Sequence, residues 1–279
     1  MRRQVVLFGD SITEQSFRQG GWGAALANAY SRKADVVLRG YGGYNTKWAL
    51  FLLHHIFPPD SARPPIATTI FFGANDAALS GRTSERQHVP IEDYKQNLRK
   101  IVLHLKECSP TMQIVLITPP PVCEEGRHAY AKYSKSFFVT ANVYKNNLAL
   151  SHYVDWIDQT ALYCRVMYLS LYGENAMKFP ERTNEVTGQY ASACVETAKE
   201  IGVFSVDLWS KMQETDGWQK KFLSDGLHLT PDGNAIVYQE VIKIFNEAGL
   251  SADNMPLDFP HHSEIDAKNP EGAFQQKCF

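Results

Sequence analysis

The stretch VVLFGDSITEQ, Val5 to Gln15, runs four apolar residues straight into Gly9, Asp10 and Ser11. A short continuous apolar run, rich in β-branched residues and stopped by glycine, is the pattern of a strand buried on both faces. Ser11 then stands at the tip of the strand, where the chain turns towards a helix. That position suits an exposed nucleophile, and it equally suits an ordinary helix N-cap. The remainder of the chain has to decide between the two.

The same strand pattern returns at Val36–Leu38, Thr69–Phe72, Ile114–Ile117 and Val203–Val206. Between these runs lie helical candidates at Gly23–Tyr30, Thr46–Ile56, Ile91–Cys108 and Glu185–Ile201. In the third, Tyr94, Leu98, Ile101 and Leu105 recur at three- and four-residue spacing, so one stripe faces the sheet. A last helix is announced by Thr230 as N-cap, Pro231 at the first helical position and Gly249 as the stop. It runs from about Pro231 to Ala248 with Ile236, Val237, Val241, Ile244 and Phe245 turned inward. Strand and helix alternating in this way predict an α/β fold, a doubly wound parallel sheet with helices on both faces.

Such a sheet collects its functional groups at the carboxyl ends of its strands. Three clusters fall there: Ser11 after the first strand, RGYGGYNT (Arg39 to Thr46) after the second, and GAND (Gly73 to Asp76) after the third. Asp225 and His228, in SDGLHLT, lie on the loop just before the last helix. A serine hydroxyl needs a base to take its proton, and the base needs a third group to fix its tautomer. Of the nine histidines, His228 has an acid three residues ahead on a short glycine-containing loop. If that loop turns, Asp225 reaches Nδ1 and leaves Nε2 to face Ser11. Acyl transfer also needs donors aimed at the developing oxyanion. Gly43 offers a backbone N–H clear of any side chain, Asn75 a side-chain N–H, and Ser11 its own N–H at the start of a helix.

The blocks FGDSIT, GYGGYNT, GAND and DGLHLT, in this order, resemble those of the GDSL or SGNH hydrolases. Over most of its length, including ERTNEVTGQYASACVETAKEIGVFSVDLWSKMQ, the chain resembles the isoamyl acetate-hydrolysing esterase homologues in a plant-like form. The resemblance implies a three-layer α/β/α flavodoxin-like fold around a central parallel sheet. It also implies Ser11 as nucleophile, His228 as base, Asp225 as its acid, and Ser11, Gly43 and Asn75 as oxyanion donors. Gly43 is preferred to Gly42 because it precedes the YNT that leads into the helix. The expected activity is hydrolysis of small carboxylic esters, acetates among them, through an acyl-enzyme. The alternatives are acyl transfer to an alcohol or sugar hydroxyl, and a non-catalytic binding protein.

Bulk properties restrict the partners. A net charge of −2 spread over 279 residues gives no basic surface for nucleic acid. No apolar run approaches the roughly 18 residues of a membrane span. The beginning MRRQVVLFGD is too short in apolar residues for a signal peptide, so a cytoplasmic location is expected. The five cysteines, without a CxxC, indicate neither a disulfide framework nor a zinc site. The partner is a small-molecule ester, the chemistry requires no metal or organic cofactor, and nothing here fixes an oligomeric state.

Other residues draw plainer readings. Asp10 and Asp76 are expected to organise turns rather than to react. The pairs His54–His55 and His261–His262 are read as surface or satisfied histidines. Trp22, Tyr41 and Tyr44 are either pocket walls or core aromatics. Arg127 and Arg182, each in a loop, could steer a polar group of the substrate but are expected to be solvated charges. Residues 1–250 form the hydrolase domain, with an atypical aromatic-rich insert at 133–169, and residues 251–279 a polar tail. The insert is either a hydrophobic lid or surplus translated sequence such as unremoved intron. The second is favoured because Lys132 joins so naturally to Ser170. The tail is expected to lie extended on the domain or to be partly disordered, with Phe259 as an anchor.

Overall fold

The computed structural model describes residues 2–129 and 179–275. The insert at 133–169 therefore lies outside the described residues. Among the described residues there are five strands: β1 (Arg3–Gly9), β2 (Ala34–Gly40), β3 (Ala67–Phe71), β4 (Gln113–Ile117) and β5 (Phe204–Val206). They form one sheet in the order β2-β1-β3-β4-β5, with every pairing parallel. The helices whose bounds fall within the described residues are α1 (Ser11–Glu14), α2 (Trp22–Ala29), α3 (Thr46–Ala49), α4 (Leu53–Ile56) and α5 (Ile91–Cys108), then α6 (Asn184–Ile201), α7 (Leu208–Gln213), α8 (Trp218–Lys221) and α9 (Pro231–Glu247).

Alternate residues of a strand point to opposite faces, and here both faces are apolar. Val5 and Leu7 of β1 join Leu26 of α2 and Val237, Val241 and Phe245 of α9 in one core. Val6 and Phe8 join Leu98, Ile101 and Leu105 of α5 and Tyr190 of α6 in the other. The result is a three-layer α/β/α fold. Phe8 is fully buried, packed edge-on against Phe57 and Phe72. Burial of a side chain of that size contributes about 1.5–3 kcal/mol.

The long helices form where expected. Helix α5 buries the predicted stripe completely, and α9 is capped by Thr230, whose Oγ1 accepts from the Gly233 N–H at 3.2 Å. Thr46–Ile56, predicted as one helix, is instead α3, a 3₁₀ turn at Leu50–Leu52, and α4. Its central run ALFLL has no single apolar stripe, so tertiary packing sets the path: Ala49 and Leu53 are buried while Phe51 is left 74% exposed. In the polar tail it is the expected anchor, the Phe259 side chain, that differs. Phe259 remains 62% exposed, and the segment is held by Asp258, which receives Nε of Arg32 at 3.2 Å and of Arg2 at 3.5 Å.

The strand register sets the site. Gly9 pairs with Gly40 on one side and Phe71 on the other, so the residues just after β1, β2 and β3 emerge together at one edge.

Candidate active site

Ser11 is not the cap of the helix it opens. That role belongs to Asp10, whose Oδ1 accepts from the Ile12 N–H at 2.9 Å. The Ser11 hydroxyl is thereby left free for another partner, and its Oγ lies 2.9 Å from Nε2 of His228. Nδ1 of the same ring lies 2.8 Å from Asp225 Oδ2. The Asp225 Oδ1 accepts from the N–H groups of Leu227 (3.0 Å) and His228 (2.8 Å), which locks the carboxylate against its own loop. With Nδ1–H donating to a carboxylate, Nε2 is left as the acceptor facing the serine.

Gly226 allows that loop its turn. Its φ is +83°, and a Cβ there would meet the Cys123 carbonyl oxygen at 2.4 Å. Only glycine combines a left-handed backbone with so close an approach. The Gly226 carbonyl accepts from the Cys123 N–H at 2.9 Å, so the loop rests on the segment after β4.

The three expected donors converge on the same edge. Gly43 adopts φ +78°, and its N–H has no acceptor among the described residues, whereas that of Gly42 is taken by Glu14 Oε2 at 2.6 Å. The contrast separates the two glycines: Gly43 alone keeps a donor to spare. The Ser11 N–H at the first position of α1 is also without an acceptor among the described residues. Asn75 is 5% exposed, and its Nδ2 donates to the Tyr44 carbonyl at 2.8 Å, leaving a second Nδ2 hydrogen uncommitted.

Two residues expected to be solvated are nothing of the kind. The Arg182 side chain is 3% exposed and the Arg127 side chain 12%. Arg127 donates to Asp225 Oδ2 at 3.0 Å and to Glu181 Oε1 at 2.6 Å. Arg182 donates to that same Glu181 oxygen at 3.1 Å and to Asn75 Oδ1 at 3.1 Å. Their loop positions suggested water. Apart from Glu181, which adjoins Arg182, these partners are about 50 to 110 residues away in sequence, and no local spacing announces them. Trp22 is likewise core rather than pocket wall, being fully buried beside Phe71, while Tyr41 and Tyr44 are half-buried and pack on each other at 5.5 Å.

The charges follow from this packing. Burial opposes ionisation of Asp225, but the His228 hydrogen bond and charge, together with Arg127, hold its carboxyl well below the usual carboxylate range. Glu181 is likewise lowered, with Arg127 and Arg182 overcoming its burial. Asp10 and Asp76 go the other way. Burial pushes both up to about 7, against the Ile12 N–H at Asp10 and the Thr46 hydroxyl and N–H at Asp76. Acids with a raised folded-state pKa bind protons on folding. Their contribution is therefore most favourable below the unfolded value of about 4, declines as pH rises to about 7, and then levels. Asp225 and Glu181 have the opposite sign and lose their contribution as pH falls below about 4. Between about pH 4.5 and 8 the thermal midpoint is expected to fall, and Asp76→Asn to flatten that slope. An unchanged slope in the variant would locate the proton uptake elsewhere.

Most of the chain is similar to known proteins. The pattern of the GDSL-like Lipase/Acylhydrolase family matches residues 5–241. A GDSL esterase/lipase of Arabidopsis thaliana is 62% identical over the full length of both chains. The human isoamyl acetate-hydrolyzing esterase 1 homolog is 35% identical over 96% of this chain and 90% of that one. Among solved structures, a lipase/acylhydrolase from Enterococcus faecalis superposes with a TM-score of 0.58 at 18% identity, covering 91% of this chain and 98% of that one. An acetyl xylan esterase does so with 0.57 at 15% identity, covering 86% and 98%. The chain belongs to the GDSL-like lipase/acylhydrolase family and is a carboxylic ester hydrolase.

Proposed function

We propose that the protein is a cytoplasmic serine esterase that cleaves small carboxylic esters, acetates foremost, through an acyl-enzyme. Ser11 Oγ attacks the ester carbonyl while His228 Nε2 takes its proton. Asp225 holds the ring and the positive charge it gains. The carbonyl oxygen, now negative, is met by the N–H groups of Ser11 and Gly43 and by Nδ2 of Asn75. Collapse of the intermediate expels the alcohol, which leaves with the proton from His228, and the acyl group stays on Ser11. Water then repeats the sequence, giving its proton to His228 and releasing the acid and the free serine.

The observation that carries this reading is the unbroken line Ser11–His228–Asp225, at 2.9 and 2.8 Å, beside donors with hydrogens to spare. The preference for acetates draws support from the similarity to a protein named as an isoamyl acetate-hydrolyzing esterase homolog. A panel of p-nitrophenyl esters of increasing acyl length tests it. The acetate is expected to give the highest kcat/KM, with each added methylene worth at most about 1–3 kcal/mol. A fluorophosphonate is expected to label Ser11. A rate that climbs steadily with chain length would overturn the acetate preference, and failure to label the folded protein would overturn the acyl-enzyme. Adding an alcohol acceptor to the same assay separates hydrolysis from acyl transfer.

A further inference from the structure

One guanidinium touches both side-chain amides that border the donors. Arg182 Nη2 donates to Asn75 Oδ1 at 3.1 Å and to Gln87 Oε1 at 2.6 Å, while Nε donates to the Ala74 carbonyl at 2.6 Å. Gln87 in turn donates from Nε2 to the Gly43 carbonyl at 3.1 Å. Glu181 compensates the buried charge through Nη1.

We propose that Arg182 is a positioning residue that fixes the orientation of the oxyanion donors, directly at Asn75 and through Gln87 at Gly43. The reasoning is chemical. A half-turn of the Asn75 amide exchanges Oδ1 and Nδ2 with almost no change of shape. The wrong orientation would aim lone pairs at an oxygen that becomes negative. Arginine can only donate and the Tyr44 carbonyl can only accept, so the two contacts select the same orientation and leave an N–H facing the substrate. Gln87 is selected in the same way between a donor and the Gly43 carbonyl. A lysine in place of Arg182 would keep the charge as a single point and lose the fork that reaches several acceptors at once.

This inference rests on the proposed oxyanion role of Asn75, and the test keeps the two apart. Wild type, Arg182→Lys, Asn75→Ala and the double variant are compared with p-nitrophenyl acetate. Arg182→Lys is expected to lower kcat by about tenfold or more with KM little changed. In the Asn75→Ala background the same change is expected to cost less, about threefold, because only the path through Gln87 to Gly43 is left to lose. Unchanged kcat in Arg182→Lys, or an equal loss in both backgrounds, would overturn the proposal. The two Asn75 Nδ2 proton signals, identified by their loss in Asn75→Ala, give a readout independent of catalysis. They are expected to be widely separated in the wild type and to converge towards those of a solvated amide in Arg182→Lys. Unmoved signals would also overturn the positioning role. Moved signals in a protein that cleaves no ester would leave positioning intact and reject the esterase reading of the site. Should Arg182→Lys fail to fold, Gln87→Met, which keeps Arg182, is expected to lower kcat about threefold or more at constant KM. Full activity in that variant would count against the proposal.

Discussion

Ser11→Ala is expected to lower kcat by about a million-fold, with the fold unchanged. Where nucleophile, base and acid act as one unit, losing the nucleophile removes nearly all that the unit supplies. His228→Ala should therefore cost about as much, and the double variant little more. The residual rate comes from the oxyanion donors and binding alone, about 10³–10⁴ above water. Stability should hardly move, because Asp10 rather than Ser11 caps α1 and, among the described residues, the Ser11 side chain is bonded only to His228. Initial rates on a p-nitrophenyl ester, with thermal midpoints alongside, check both statements. Activity within a hundredfold of wild type would rule out Ser11 as the attacking group.

Asn75→Ala comes next, with an expected loss of about 100- to 1,000-fold in kcat. KM should change little, since the amide bonds most strongly to an oxygen that is negative only near the transition state. Here some stability is also lost. The Tyr44 carbonyl and one Arg182 hydrogen are left without their partner in a buried setting, which costs about 1–3 kcal/mol. Rates measured well below the lowered midpoint separate the two effects. A raised KM with intact kcat would mean that Asn75 binds the ground state instead.

The parts of this molecule that could be read from sequence are those with short-range signatures. Apolar runs such as VVLF and IVLI mark the strands, and the Tyr94–Leu105 stripe marks α5 with its bounds unchanged. The site residues could be read because a parallel sheet delivers them to one edge whatever their separation. Other features follow from three-dimensional pairing. Nothing near Arg182 in sequence foretells an amide of Asn75, and nothing near Arg127 foretells the acid of His228's loop. Phe51 is similar: an unbroken apolar run gives no period from which to choose the outward residue. Trp22 opens α2 only 11 residues after Ser11, close to the site on paper, yet its ring is buried in the core beside Phe71 of β3.

The hydroxyl of Ser11 and the imidazole of His228 are separated by 217 residues of chain. At a synthesis rate of about 5–20 residues per second, the serine leaves the ribosome roughly 10–40 s before its partner is made. During that interval β1 can find β2 and β3, yet no base stands beside the hydroxyl. A chain cut short before His228 lacks the base proposed for Ser11 and is expected not to form an acyl-enzyme at a measurable rate.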